Sequence, residues 1–173
     1  MSKACNEHTQ HQDDVLHGVH SHGSVEERLQ QAIELCEQEG SKLTPLRQEV
    51  LQLILSAQGP VGAYDLLAKI KSKNGRPAAP PTVYRTLDFL LELGLVHRLT
   101  SINAFIPCCH PREGHQAAFL ICQNCQLVQE TSADKLFGEL SRIAHQGKFV
   151  AKHSTIEISG LCQKCSSLDE AHC

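Results

Sequence analysis

Apolar positions recur at helical spacing through the first half of the chain. Ser24-Val-Glu-Glu27 reads as a capping box, in which the serine hydroxyl meets the N–H three residues on and the glutamate reaches back. Leu29, Ile33 and Cys36 follow at intervals of four and three, and Gly40 ends this helix. Thr44-Pro45 begins a second, with Thr44 as N-cap hydroxyl and Pro45 at the first helical position. Leu46, Val50, Leu53 and Ile54 form its stripe, and Gly59-Pro60 stop it. Ala63 to Lys71 is a short helix with Leu66, Leu67 and Ile70 inward and Tyr64, Lys69 and Lys71 outward. A loop over 72–79 leads to Pro80-Pro81-Thr82, which opens a fourth helix. Val83, Leu87, Leu90 and Leu91 make its buried face, and Gly94 caps it. Leu95 to Leu99 and Ala104 to Ile106 then predict a hairpin turning at Ser101-Ile102-Asn103.

Helix, helix, recognition helix and hairpin is the order of a winged helix-turn-helix. The outward face of the fourth helix offers Thr82, Tyr84, Arg85, Thr86 and Asp88. An arginine there can bond two acceptors of guanine, hydroxyls reach bases or phosphates, and the helix N-terminus favours phosphate. Simple core packing explains each helix equally well taken alone; their order and charge tip the reading towards DNA.

Past residue 116 the pattern changes to strands around one helix. Ala117 to Ile121 and Leu127 to Glu130 read as strands, and Ser132 to Gln146 as a helix with Leu136, Leu140 and Ile143 on one face. Phe149 to Ile158 reads as a long alternating strand. The expected fold is α/β (α+β): a His-rich disordered arm over 1–23, a winged-helix DNA-binding domain over 24–106, a hinge over 107–116, and a small metal-binding dimerisation domain over 117–173. Small sheets with open edges pair well across a two-fold axis, which predicts a homodimer.

Charge sharpens this picture. The net charge of the 173 residues is −3, but residues 1–41 carry −6, residues 42–98 carry +4, and residues 99–173 carry −1. The basic third coincides with the helical pattern, as a DNA footprint requires. No apolar run approaches the length of a membrane span, and the polar N-terminus is not a secretory signal. Nine cysteines, an odd number, four of them in two Cys-x-x-Cys pairs, suggest metal thiolates in a reducing cytoplasm rather than disulfides.

Cys122-Gln-Asn-Cys125 and Cys162-Gln-Lys-Cys165 have the spacing of two zinc knuckles. Four thiolates fill a tetrahedral shell, so the site is expected to be structural. The competing reading is a pair of redox dithiols. A redox Cys-x-x-Cys should open a helix after a strand, whereas both pairs here read as turns. A second donor set, His97, Cys108, His115 and Glu130, draws on the hairpin, the hinge and the second domain. Zinc bound there would bridge the domains and select one angle between them. That set rests on residue type rather than spacing, and a hairpin histidine is more often just a surface residue. Cys109 and His110 stand beside Cys108 as alternative donors. The histidines of the arm (His8, His11, His17, His20, His22) are expected to be a solvated tail, with weak metal buffering as the functional alternative. No His-Glu-x-x-His or His-x-Glu occurs, so a zinc enzyme is not expected.

Leu43-Thr44-Pro45 with Arg47, Ala63 to Leu67, Pro81 to Leu90, Gly94 to His97, Phe119 to Cys125, His153-Ser154, Ile156-Glu157 and Gly160 to Cys162 together resemble the ferric uptake regulator family, most nearly its zinc uptake regulator branch. The resemblance covers about residues 25–165. It implies a dimeric repressor that binds operators of zinc-uptake genes when loaded with two zinc ions per subunit. On the matching positions it implies Cys122, Cys125, Cys162 and Cys165 as the structural zinc site, and His97, Cys108, His115 and Glu130 as the regulatory site. Tyr64 and Arg85 match positions that meet DNA. The iron branch carries a histidine-rich run where this chain has Gln116-Ala117-Ala118-Phe119, which argues against iron. His153 falls on a position of a third metal site whose partners are missing, and reads as structural or surface. A same-fold sensor of another metal or of peroxide is the nearest alternative.

Overall fold

The computed structural model describes residues 17–18, 23–70, 78–109, 111, 117–151 and 154–170. His17–Gly18 form a short strand, β1, where composition predicts no regular structure; the rest of the arm up to residue 22 lies outside the described residues. Helix α1 (Val25–Gln38) starts on the expected capping box: the Ser24 N–H donates to Glu27 Oε2 at 2.7 Å and the Glu27 N–H to Ser24 Oγ at 3.2 Å. Gly40, at φ +64°, turns the chain out of α1, so that the Ser41 N–H reaches the Cys36 carbonyl at 2.8 Å.

Helix α2 (Pro45–Leu55) follows. Thr44 occupies its N-cap, but the hydroxyl makes no capping bond, so Pro45 carries the start alone. Strand β2 (Val61–Gly62) leads into α3 (Ala63–Lys69), and α4 spans Pro80–Glu92. Gly94, again at φ +64°, ends α4 with the Leu95 N–H on the Leu90 carbonyl at 2.9 Å. Strands β3 (Val96–Leu99) and β4 (Ala104–Pro107) form the hairpin, and β2 pairs with β4 to give the order β2-β4-β3. Val50, Leu51 and Ile54 of α2, Leu66 of α3 and Val83, Leu87 and Leu90 of α4 share one core. Each such buried side chain stabilises by about 1.5–3 kcal/mol.

The second unit comprises β5 (Ala117–Cys122), β6 (Val128–Ser132), α5 (Asp134–Gln146), β7 (Ile156–Gly160) and α6 (Gln163–Glu170). Its sheet runs β1-β6-β5-β7, with β7 parallel to β5 and the other pairs antiparallel. The predicted strand from Phe149 to Ile158 begins only at Ile156. Residues 147–149 are used to end α5: Lys148 takes φ +54° and the Phe149 N–H bonds the Ala144 carbonyl at 2.8 Å. The predicted stripe Leu136, Leu140 and Ile143 is exposed, and α5 buries Phe137 instead.

The hairpin serves two cores. Val96 and Phe105 face the helices, while Leu99 and Ile106 join Ala117, Phe119, Ile121 and Val128 of the second sheet. A strand buried on both faces has no polar side to show, which is why Ala104 to Pro107 contains no polar residue.

Candidate metal centres and nucleic-acid face

The parallel pairing of β5 with β7 places Cys122 opposite Gly160, so both Cys-x-x-Cys segments leave the sheet at the same end. After Cys122 the chain doubles back through Gln126 at φ +58°, whose N–H bonds the Cys122 carbonyl at 2.9 Å. The sulfurs of Cys122, Cys125, Cys162 and Cys165 all lie within 4.8 Å of one another. Cys125 Sγ and Cys162 Sγ are 3.7 Å apart. A zinc tetrahedron with bonds of about 2.3 Å has sulfur–sulfur edges of about 3.8 Å, so this cluster can hold zinc. Backbone N–H groups of Cys125 and then Cys162 face the Cys122 sulfur and, against the effect of burial, lower its pKa to about 6. Cys165, bonded first to the Cys162 sulfur and then penalised by burial, is pushed up to about 12. The Cys122 thiol therefore ionises more readily than the Cys165 thiol.

The second pair is not a turn, contrary to expectation. Cys162 precedes α6, and the N–H groups of Cys165 and Ser166 both bond its carbonyl at 2.9 Å. It thus opens a helix after a strand, the local shape of a redox motif. What sets it apart from a dithiol is the convergence of both pairs on one point.

The other donor set forms where the hairpin meets the second sheet. His97 comes from β3, Cys108 from the segment after β4, and Glu130 from β6; their donor atoms lie within 4.8 Å of one another. His97 Nε2 is 3.4 Å from Glu130 Oε1, which matches the donor–donor edge of about 3.4 Å for a tetrahedral zinc with bonds near 2.1 Å. Three features aim these groups. The His97 ring packs against Phe119 at 5.1 Å between centroids. Phe119 is the register partner of Glu130. The Cys108 N–H continues the hairpin by bonding the Leu95 carbonyl at 3.0 Å. Cys108 and Glu130 are buried. The Cys109 thiol bonds Glu130, and burial first, then that carboxylate, push it up to about 11. His115, His110 and His153 lie outside the described residues.

Arg28 of α1 is a charged group at this junction that the pattern of residues does not single out. Burial lowers its pKa, offset by Cys109, Cys108 and Glu130 nearby. One signal was available: it is the only lysine or arginine between Lys3 and Lys42.

On α4, Thr82, Tyr84 and Arg85 are exposed together, and Tyr64 of α3 is 75% exposed. Thr86 does not share that face; it is buried, and its hydroxyl donates to the Thr82 carbonyl at 3.0 Å. Lys71, Lys73 and Arg76 lie outside the described residues, and no helix among those described is long and apolar enough to cross a membrane.

A winged helix that shares a set of metal donors with a thiol-rich α/β unit defines a metal-linked regulator of the winged-helix class. The model of the ferric uptake regulator family matches residues 38–159. The zinc uptake regulation protein of Escherichia coli K12 is 38% identical over 147 residues, 84% of this chain and 85% of that one. The peroxide operon regulator of Bacillus subtilis is 29% identical over 138 residues, 80% of this chain and 93% of that one. Among solved structures, a zinc uptake regulator complexed with zinc and DNA superposes with a TM-score of 0.79 at 38% identity, covering 86% of this chain and 99% of that one. Holo XcZur superposes with a TM-score of 0.75 at 39% identity, covering 83% and 99%. The chain belongs to the ferric uptake regulator family.

Proposed function

We propose that the protein is a zinc-responsive transcriptional regulator whose zinc-loaded homodimer binds double-stranded operator DNA in the cytoplasm and represses zinc-uptake genes, with no catalytic role. The observation that carries this is the donor set His97, Cys108 and Glu130, which draws on both units and is separate from the four-cysteine cluster. Cys122, Cys125, Cys162 and Cys165 would hold a structural zinc. His97, Cys108 and Glu130, with His115 as the fourth donor, would hold a regulatory one, two per subunit. Zinc supplies there a divalent charge that stabilises a thiolate and a carboxylate held side by side. A thiolate donor favours zinc over iron or manganese.

The residues of this chain do the rest. His97 and Cys108 belong to the winged-helix domain (24–106) and hinge (107–116), and Glu130 to the dimerisation domain (117–173). Holding them within one shell fixes the orientation of α4. Arg85, Thr82 and Tyr84 on α4 and Tyr64 on α3 then meet DNA. The likeness to a regulator complexed with zinc and DNA supports this reading of the inter-domain arrangement. The exposed stripe Leu136, Leu140 and Ile143, with Ile158 on the outer strand β7, supports a second copy as the partner of this face.

The test is to strip the protein with a mild chelator, count zinc, and titrate zinc while following a labelled candidate operator by fluorescence anisotropy. One zinc retained per subunit, with a second required for tight binding, is the expected result. Tight binding with one zinc, or none with two, would overturn the division of labour. Parallel titrations with iron(II) and manganese(II) should need higher free metal.

A further inference from the structure

A further charged group joins the two units away from the donor set. Glu157 of β7 reaches the tip of the hairpin, where Oε1 accepts the Thr100 N–H at 2.7 Å and Oε2 accepts the Ser101 N–H at 2.9 Å. The two partners lie 57 and 56 positions away in sequence. Both carboxylate oxygens are used, and both donors are backbone groups that the β3–β4 ladder leaves over. The turn they belong to is itself fixed: Asn103 sits at φ +47°, and the Arg98 guanidinium donates to its side chain at 3.2 Å. Charge-assisted bonds of this bidentate kind are directional as well as strong.

Position along β3 gives this contact its meaning. His97 and Thr100 are three residues apart, about 10 Å in a strand. A single tie at His97 would leave the hairpin free to swing about that point. A second tie at Thr100 and Ser101 leaves only rotation about the line joining them. The packing of Leu99 and Ile106 on Phe119, Ile121 and Val128 opposes that remaining freedom.

We propose that Glu157 is a positioning residue that docks the hairpin on the second sheet without metal, and so presents His97 to Cys108 and Glu130. This inference deepens the reading of His97, Cys108 and Glu130 as the regulatory site and rests on it. Glu157 bonds the hairpin backbone at Thr100 and Ser101. It acts by raising the fraction of molecules in which they are already gathered, and apparent metal affinity scales with that fraction.

The experiment uses the full-length protein with its retained zinc. Wild type, Glu157→Ala, Glu157→Gln and, as a control, Glu37→Ala at the exposed end of α1 are titrated with zinc against a chromophoric chelator, without DNA. Amide hydrogen exchange at Thr100 and Ser101 is followed on the metal-stripped forms. Glu157→Ala is expected to raise the zinc concentration that half-fills the second site by roughly five-fold or more, within the usual range of coupling between sites. Glu157→Gln, which keeps one acceptor and the side-chain shape, should fall between, and Glu37→Ala should match wild type. Exchange at Thr100 and Ser101 should quicken in Glu157→Ala. Unchanged exchange at these amides, or an unchanged second-site affinity in both Glu157 variants, would overturn the proposal. Absence of any second site in wild type would instead sink the regulatory-site reading beneath it, while exchange would still judge the docking contact. Should Glu157→Ala lose its retained zinc, Glu157→Gln decides.

Discussion

The Arg28 guanidinium donates to the Cys108 carbonyl at 2.6 Å, across 80 positions of sequence. This bond ties the first helix to the segment that carries a metal donor, so α1 is fixed to the junction as well as to the helical core. Its partner is a backbone oxygen, which no substitution at 108 removes. Arg28→Ala is expected to cost about 1–2 kcal/mol, the lower part of the range for bonds to a charged group because the guanidinium is partly solvated. Urea unfolding of the metal-stripped protein would measure it, and a loss below a few tenths would show that solvent replaces the bond.

Leu90 of α4 lies fully buried in the helical core. Leu90→Ala should cost about 2–5 kcal/mol, the transfer and cavity terms together. Thermal unfolding followed by circular dichroism should show a clear drop in Tm, with the retained zinc still present, since the thiol cluster belongs to the other unit.

The thiol cluster makes the opposite prediction. Cys125→Ser removes one corner of a group whose sulfurs lie within 4.8 Å, and with it the closure of the β5 turn on α6. Zinc should no longer survive a mild chelator, and amide hydrogen exchange in β5 and β7 should quicken, because metal binding there is folding free energy. Metal analysis after dialysis checks this; full retention of zinc would mean that the remaining three thiols and water suffice.

Arg85 is expected to read sequence rather than only to add charge. Arg85→Ala should cost about 1–3 kcal/mol of operator binding and relax preference at one base pair. Competition against a panel of single-base operator variants distinguishes this from a uniform loss, which would mark Arg85 as a phosphate contact.

Glu157 carries a pH signature. Burial alone would raise its pKa, but the Ser101 side chain and the Ser101 and Thr100 N–H groups outweigh that and hold it below the usual carboxylate value. A carboxyl depressed in the folded state adds stability above its unfolded pKa and loses it as pH falls through the folded one. The Tm difference between wild type and Glu157→Gln should therefore be full near neutrality and shrink through the acid range below the ordinary carboxylate pKa. A difference that stays constant down to strong acid would mean the charge is not what docks the hairpin.

The helices were legible because their signals are local. Ser24 and Glu27 form the cap that their spacing promises, and Gly40 and Gly94 take the left-handed conformation that ends a helix. The misreadings turn on partners that spacing does not reveal. Thr86 looks like a surface hydroxyl, but its Oγ finds the Thr82 carbonyl one turn back and can be buried at no loss. Phe149 to Ile158 reads as one alternating strand, yet the end of α5 takes the Phe149 N–H before a ladder can. Leu136, Leu140 and Ile143 keep helical spacing without meeting this chain's own core, and spacing alone cannot say which molecule a stripe faces. The thiol cluster was legible as spacing. The gathering of His97, Cys108 and Glu130 was legible only as residue types, since the strand pairing that unites them is long-range.

The two sides of the second sheet end differently. On one flank the His17–Gly18 backbone already occupies β6, opposite Glu130 and Gln129, and on the other β7 shows its outer row of peptide groups to solvent. A ribbon that can be extended from only one flank closes after a single addition, because the newcomer brings the same blocked flank to the far side. Among the described residues, His17–Gly18 thus shield the middle of one flank and leave β7 as the edge at which a further strand can add.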